Sequence, residues 1–100
     1  MNLYSMKLVT IVCEAYAQDA VTKLLRETGA HGWTLFAVEG DGSQGRRPAD
    51  IREFANIQIE VVVPPEVAEK LLARLEKDFF PRYAMIAFES DVRVLRQGKF

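Results

Sequence analysis

The chain has 100 residues, 49% hydrophobic and 27% charged, a balance that suits one folded domain with a single modest core and argues against disorder. A formal net charge of −1 argues against a general binder of nucleic acid or of anionic membranes, which carry a clear basic excess. The one cysteine, Cys13, excludes an internal disulfide and a cysteine-built zinc cluster. No apolar run approaches the 18 or so residues of a membrane span, and no signal-peptide core is visible, so the cytoplasm is the expected compartment and no membrane insertion is expected.

"KLVTIVC" (7–13) is short and β-branched and reads as a strand. "AQDAVTKLLRETG" follows with Ala17, Val21, Leu24, Leu25 and Thr28 at helical spacing, and Gly29 suits a helix C-cap. "GWTLFAVE" (32–39) reads as a second strand, with Trp33, Leu35 and Ala37 on one face and Thr34, Phe36 and Val38 on the other. A long loop runs from Gly40 to about Glu53. "FANIQIEVVV" (54–63) then alternates Ile57, Ile59 and Val61 with Asn56, Gln58 and Glu60. Pro64 and Pro65 end that strand, and Pro65 fits the first turn of a helix whose apolar stripe is Val67, Leu71, Leu72, Leu75 and Phe79. Pro81 breaks it. "YAMIAFES" (83–90) reads as a fourth strand, and "DVRVLRQG" (91–98) as an extended tail or fifth strand.

This order predicts an α+β, ferredoxin-like βαββαβ domain over residues 1–100, with both helices on one face of an antiparallel sheet. Helices then cover only one face. The first and fourth strands are nevertheless apolar on both: Leu8 and Val12 against Val9 and Ile11, Met85 and Ala87 against Ile86 and Phe88. An antiparallel sheet with one wet face should alternate, so the second face is expected to be covered by other subunits.

The loop opens with "GDGSQGRR" (40–47), which spells G-x-G-x-x-G. A dinucleotide fingerprint requires a helix directly after the last glycine, but Arg46-Arg47-Pro48 and then a strand follow, and no Gly-Lys-Ser/Thr is present. Both nucleotide-loop readings fail. Two remain open from the residues alone. One is a solvated hairpin loop whose arginines are balanced by Asp41, Asp50 and Glu53. The other is an anion site, in which glycines turn backbone N–H groups inward while Ser43, Arg46, Arg47 and Arg52 supply donors. A 14-residue loop inside a compact domain favours function or disorder over a plain connection.

At this point the residues resemble a family. "GAHGWTLFAVEGDGS" is similar to the stretch of PII signalling proteins that leads from the first helix to the base of the effector loop called the T-loop. "ANIQIEVVVPPEVAEKLLARL" and "YAMIAFESDVRVLRQGK" resemble the later strands, the second helix and the basic C-terminal region, so the likeness runs from about Lys7 to Lys99. The loop is short, lacks the modifiable tyrosine of nitrogen regulators, and "FPRYAMI" replaces their lysine-bearing glycine stretch. It looks more like the PII-like proteins of inorganic-carbon acquisition, the partners of bicarbonate transporters and the carboxysome-associated members. The resemblance implies a homotrimer that binds ADP, AMP or ATP in clefts between subunits, with bicarbonate as a further ligand, and that signals through the loop at about 40–53. Carried over by position, it implies Thr34, Gly40 and Gly42 in the nucleotide cleft and Ser43, Arg46 and Arg47 at the phosphates. It further implies Ala84, Met85 and Ile86 at the adenine through backbone groups, and Arg93 or Arg96 reaching in from a neighbouring subunit.

No catalytic or metal constellation competes with this reading. His31 is the only histidine, it falls at a turn, and no ligand spacing surrounds it. No enzyme and no metal site are expected. RNA recognition on this strand order requires aromatics on the third strand, where Asn56, Gln58 and Glu60 stand instead, so no nucleic acid partner is expected. Small-ligand domains of the ACT type and the trimeric copper-tolerance type share the fold and are the alternatives.

Overall fold

A computed structural model of the chain describes residues 1–39, 41–42, 45–46 and 56–100; for Asp41, Gly42, Gly45, Arg46 and Gln97 it describes the backbone alone. Among the described residues six strands and two α-helices are formed: β1 (Tyr4–Glu14), α1 (Gln18–Thr28), β2 (Thr34–Val38), β3 (Asp41–Gly42), β4 (Gly45–Arg46), β5 (Asn56–Val63), α2 (Pro65–Arg74) and β6 (Ile86–Val94). Four of the strands make one antiparallel sheet in the order β2-β5-β1-β6, and β3 and β4 pair separately. This is the ferredoxin-like arrangement expected from the sequence.

Each element follows from its residues. Val21, Leu24, Leu25 and Thr28 lie on one stripe of α1 and are all buried. Gly29 closes that helix at φ +103°, a left-handed conformation that a Cβ opposes, and the Ala30 N–H donates to the Leu25 carbonyl at 2.9 Å. α2 starts on Pro65 behind extended Pro64. Its continuation departs from the single helix expected up to Phe80. Leu75–Phe79 form a wider π turn, in which the Phe80 N–H donates to the Leu75 carbonyl at 2.9 Å, and Pro81, having no N–H, cannot extend the ladder.

β6 is one continuous strand rather than a fourth strand followed by a tail. Its residues Ile86 to Val94 pair with Val12 back to Tyr4, and this partner draws β1 out beyond the 7–13 expected from apolar content. Ala84 and Met85 accordingly precede the strand.

The core lies between the helices and the near face of the sheet. Val9, Ile11, Ile59, Val61, Leu25, Leu71 and Leu75 are essentially inaccessible there. The far face has a different character. Directly paired residues share a face, so the registers place Leu8 with Val62 and Ser90, Thr10 with Glu60, Thr34 and Phe88, and Val12 with Gln58, Phe36 and Ile86. On that face Ile86 is 59% exposed and Phe88 50%. β6 is amphipathic in the opposite sense from a lone domain. Ile86, Phe88, Val92 and Val94 point away from the helices, and Glu89, Asp91 and Arg93 alternate with them.

Candidate functional site

The two edges of the sheet, β2 and β6, lie three strand spacings apart, about 14 Å. A groove of about 450 Å³ opens at the β2 edge. Thr34, the first residue of β2, stands in its wall with His31, Gly32 and Trp33 from the link after α1. Glu60 and Val62 of β5 form its floor on the face away from the helices, and Lys99 and Phe100 close the remaining side. The Thr34–Glu60 pairing in the sheet register brings a hydroxyl and a carboxylate together. The Arg26 guanidinium lies 5.3 Å from the centre of the Trp33 ring and holds the indole in place. Gly32 has neither a left-handed backbone nor any neighbour within 4 Å of where a Cβ would stand, so nothing inside the subunit demands glycine there.

At the other end of β2 the chain enters the loop. Of the residues singled out from sequence, Gly42 lies in β3 and Arg46 in β4, where Asp41 pairs with Arg46 and Gly42 with Gly45 in an antiparallel register. Gly45 and Arg46 are therefore in a strand where a dinucleotide site would start a helix. Gly40, Ser43 and Arg47 lie outside the described residues, as does the stretch 48–55.

Within one subunit the remaining expected residues, Arg96 apart, do not converge on Thr34. Ala84, Met85 and Ile86 are at the β6 edge, at the end of the sheet from which the loop springs, with Met85 packed against the core. Arg93 pairs with Ser5 at the opposite end, some five residues or about 17 Å along the strands from the Thr34 row. Arg93 and Arg96 are both exposed. A side chain of arginine length cannot span that separation, so Arg93 can meet Thr34 only in another subunit, whereas the Arg96 carbonyl accepts the N–H of Lys99, a residue that lines the groove.

Two further groups carry perturbed chemistry away from the groove. Lys7 sits beside Asp91 and 3.0 Å from Glu89, and hydrogen bonds to both carboxylates raise its pKa above 10.5. Cys13 is buried, and burial, helped by the charge of Glu14, pushes its thiol up to about 11, the reverse of a reactive cysteine. Among the described residues no three His, Cys, Asp or Glu side chains gather to hold a metal ion, and no helix is long and apolar enough to cross a membrane.

Residues 6–99 match the family profile of the nitrogen regulatory protein P-II. The chain belongs to the P-II family. A PII-like signalling protein of Thermus thermophilus is 40% identical over all of this chain and 99% of its own, with a TM-score of 0.88. CPII, a nitrogen regulatory PII-like protein from Thiomonas intermedia, is 30% identical in a structure bound to ADP, AMP and bicarbonate, which covers 99% of this chain and 96% of its own with a TM-score of 0.91. A second CPII structure, bound to ADP and bicarbonate, is 31% identical with a TM-score of 0.90, over 99% of this chain and 97% of its own. The P-II assignment decides between the PII-type subunit and the ACT-type or copper-tolerance-type readings of the same fold.

Sequence reasoning missed Glu60, Val62, His31 and the Lys99–Phe100 segment as groove residues. Glu60 looks like any polar member of an alternating strand until the register sets it beside Thr34.

Proposed function

We propose that this P-II subunit is a non-catalytic regulator that binds ADP, AMP or ATP in the groove at the β2 edge, between the subunits of a homotrimer. The observation that carries the reading is the groove itself, with Thr34 and Glu60 side by side on its wall and floor. A carboxylate accepts hydrogen bonds, and adenine offers its exocyclic N–H donors, where guanine would present a carbonyl oxygen to the same charge. The open space beside Gly32 leaves room for a flat ring to approach the backbone. β2 runs about 13 Å from Thr34 to Val38, so a nucleoside diphosphate lying along it extends toward the loop base, where Gly40, Gly42, Ser43, Arg46 and Arg47 would receive the phosphates.

The trimer is supported by the inverted alternation of β6 and by the exposed Phe36, Ile86 and Phe88. It also supplies what one subunit lacks, since the neighbour's Arg93 and its Ala84–Ile86 segment are groups that a single chain cannot bring to Thr34, and the neighbour's Arg96 would reach the phosphates with them. Nucleotide would order the loop over about 40–53, and only a ligand that prefers the ordered state shifts that balance. The loop in turn governs docking to a partner in the cytoplasm. The short loop and the bicarbonate found with CPII support a partner of inorganic-carbon acquisition, a bicarbonate transporter or a carboxysome-related protein.

Calorimetric titration with ADP, AMP and ATP, each with and without bicarbonate, tests the reading. Saturable binding of at least one adenine nucleotide is expected. Absence of heat and of any Trp33 fluorescence change with all three would overturn it.

A further inference from the structure

β6 ends at Val94 on the sheet edge opposite β2, yet residues 99 and 100 stand at the β2 groove. The six residues 95–100 therefore cross β1 and β5 on the face away from the helices, the face of Glu60 and Val62. One 3₁₀ turn at Gln97–Lys99, in which the Lys99 N–H donates to the Arg96 carbonyl at 3.4 Å, steers the crossing.

The exposures along this segment are uneven. Leu95, Arg96, Gly98 and Lys99 are exposed, whereas Phe100 is half-buried, although it is no member of the hydrophobic core. It lines the groove. Phe100 and Trp33 thus give one opening two aromatic residues, and about 450 Å³ remains beside them. That volume makes the segment a wall of the site and not a plug in it.

We infer that Phe100 is a base-binding residue of this subunit's own groove, an aromatic platform on which the nucleotide base stacks, carried there by the segment after β6. The inference rests on the nucleotide reading of the same groove. It extends that reading by adding a contact from the same chain, distinct from the arginines assigned to a neighbour. Stacking on an aromatic face tolerates any base, so Phe100 contributes affinity and leaves the choice of adenine to Glu60.

The test titrates ADP into wild type, Phe100→Ala and Phe100→Tyr, read by calorimetry and by Trp33 fluorescence, with circular dichroism as the control for folding. Base–aromatic stacking is worth roughly 1–3 kcal/mol, so Phe100→Ala should raise the ADP Kd by about fivefold or more. Phe100→Tyr, which keeps the ring, should stay within about twofold of wild type. Wild-type affinity in Phe100→Ala would overturn the inference and leave the nucleotide reading standing. Weakening by both variants alike would also overturn it, because a ring would then not be what matters. Absence of ADP binding by the wild type would overturn the nucleotide reading, and the inference with it.

Discussion

Phe88→Lys should disassemble the proposed homotrimer without unfolding the subunit. Phe88 sits on the far face of β6, 50% exposed, paired with Thr10 and remote from the core under the helices. A phenylalanine presents on the order of 200 Å² of apolar surface, so about 100 Å² of it awaits burial in an assembly. At about 25 cal/mol per Å², that burial stabilises association by roughly 2.5 kcal/mol per subunit. Each of three subunits loses this term in the variant, and each lysine adds an ammonium that must be desolvated or must force the contact open. Sedimentation equilibrium over a range of concentrations reads the result. Wild type should sediment at three times the monomer mass and the variant at the monomer mass, with matching far-UV spectra. A variant that stays trimeric at the same concentrations as wild type would refute the assignment of this face to the subunit interface.

Other consequences are more local. Gly29→Ala places a Cβ 3.7 Å from Val67, which is ordinary contact, so the cost is backbone strain at φ +103°, about 1–2 kcal/mol, and a thermal melt indistinguishable from wild type would contradict it. The Cys13 thiol, raised to about 11, keeps its proton in the folded chain while an unfolded one loses it near 8.5. Its contribution is therefore lost as pH rises from that range toward 11, and the raised pKa of Lys7 acts in the same direction above 10.5. Denaturation midpoints should fall through that window, and a thiol reagent at pH 8 should label Cys13 only as fast as the protein opens; fast labelling of the native protein would refute its burial. Arg46→Ala should weaken ADP binding about tenfold, the loss of one charge-assisted contact, and unchanged affinity by calorimetry would remove Arg46 from the phosphate site.

The fold was legible because local signals agreed with one another: Gly29 as a cap, Pro65 as a helix start, and Ile57, Ile59 and Val61 as a buried alternation. The ends of β1 and β6 were not, because Tyr4, Ser5 and Arg93 carry no apolar pattern and are strand residues only through their mutual pairing. The apolar doubling of the first and fourth strands pointed to the far face, where Ile86 and Phe88 of β6 stand exposed while Leu8 and Val12 of β1 are half-buried. The site was half legible. Thr34 does line the groove, whereas Glu60 and Phe100 enter it through long-range register and a chain crossing that no local window contains. The glycine run was legible only in the negative, as a fingerprint without its helix, and the pairing of Gly45 and Arg46 with Gly42 and Asp41 gives the reason.

Photolabelling with 8-azido-ADP, followed by peptide mapping, tests most directly where the nucleotide sits. The label should fall on the groove peptides that carry His31–Thr34 or Glu60–Val62, and unlabelled ADP should compete it away. Competable label confined to the helix face of the subunit, with the β2 edge unmarked, would contradict the account.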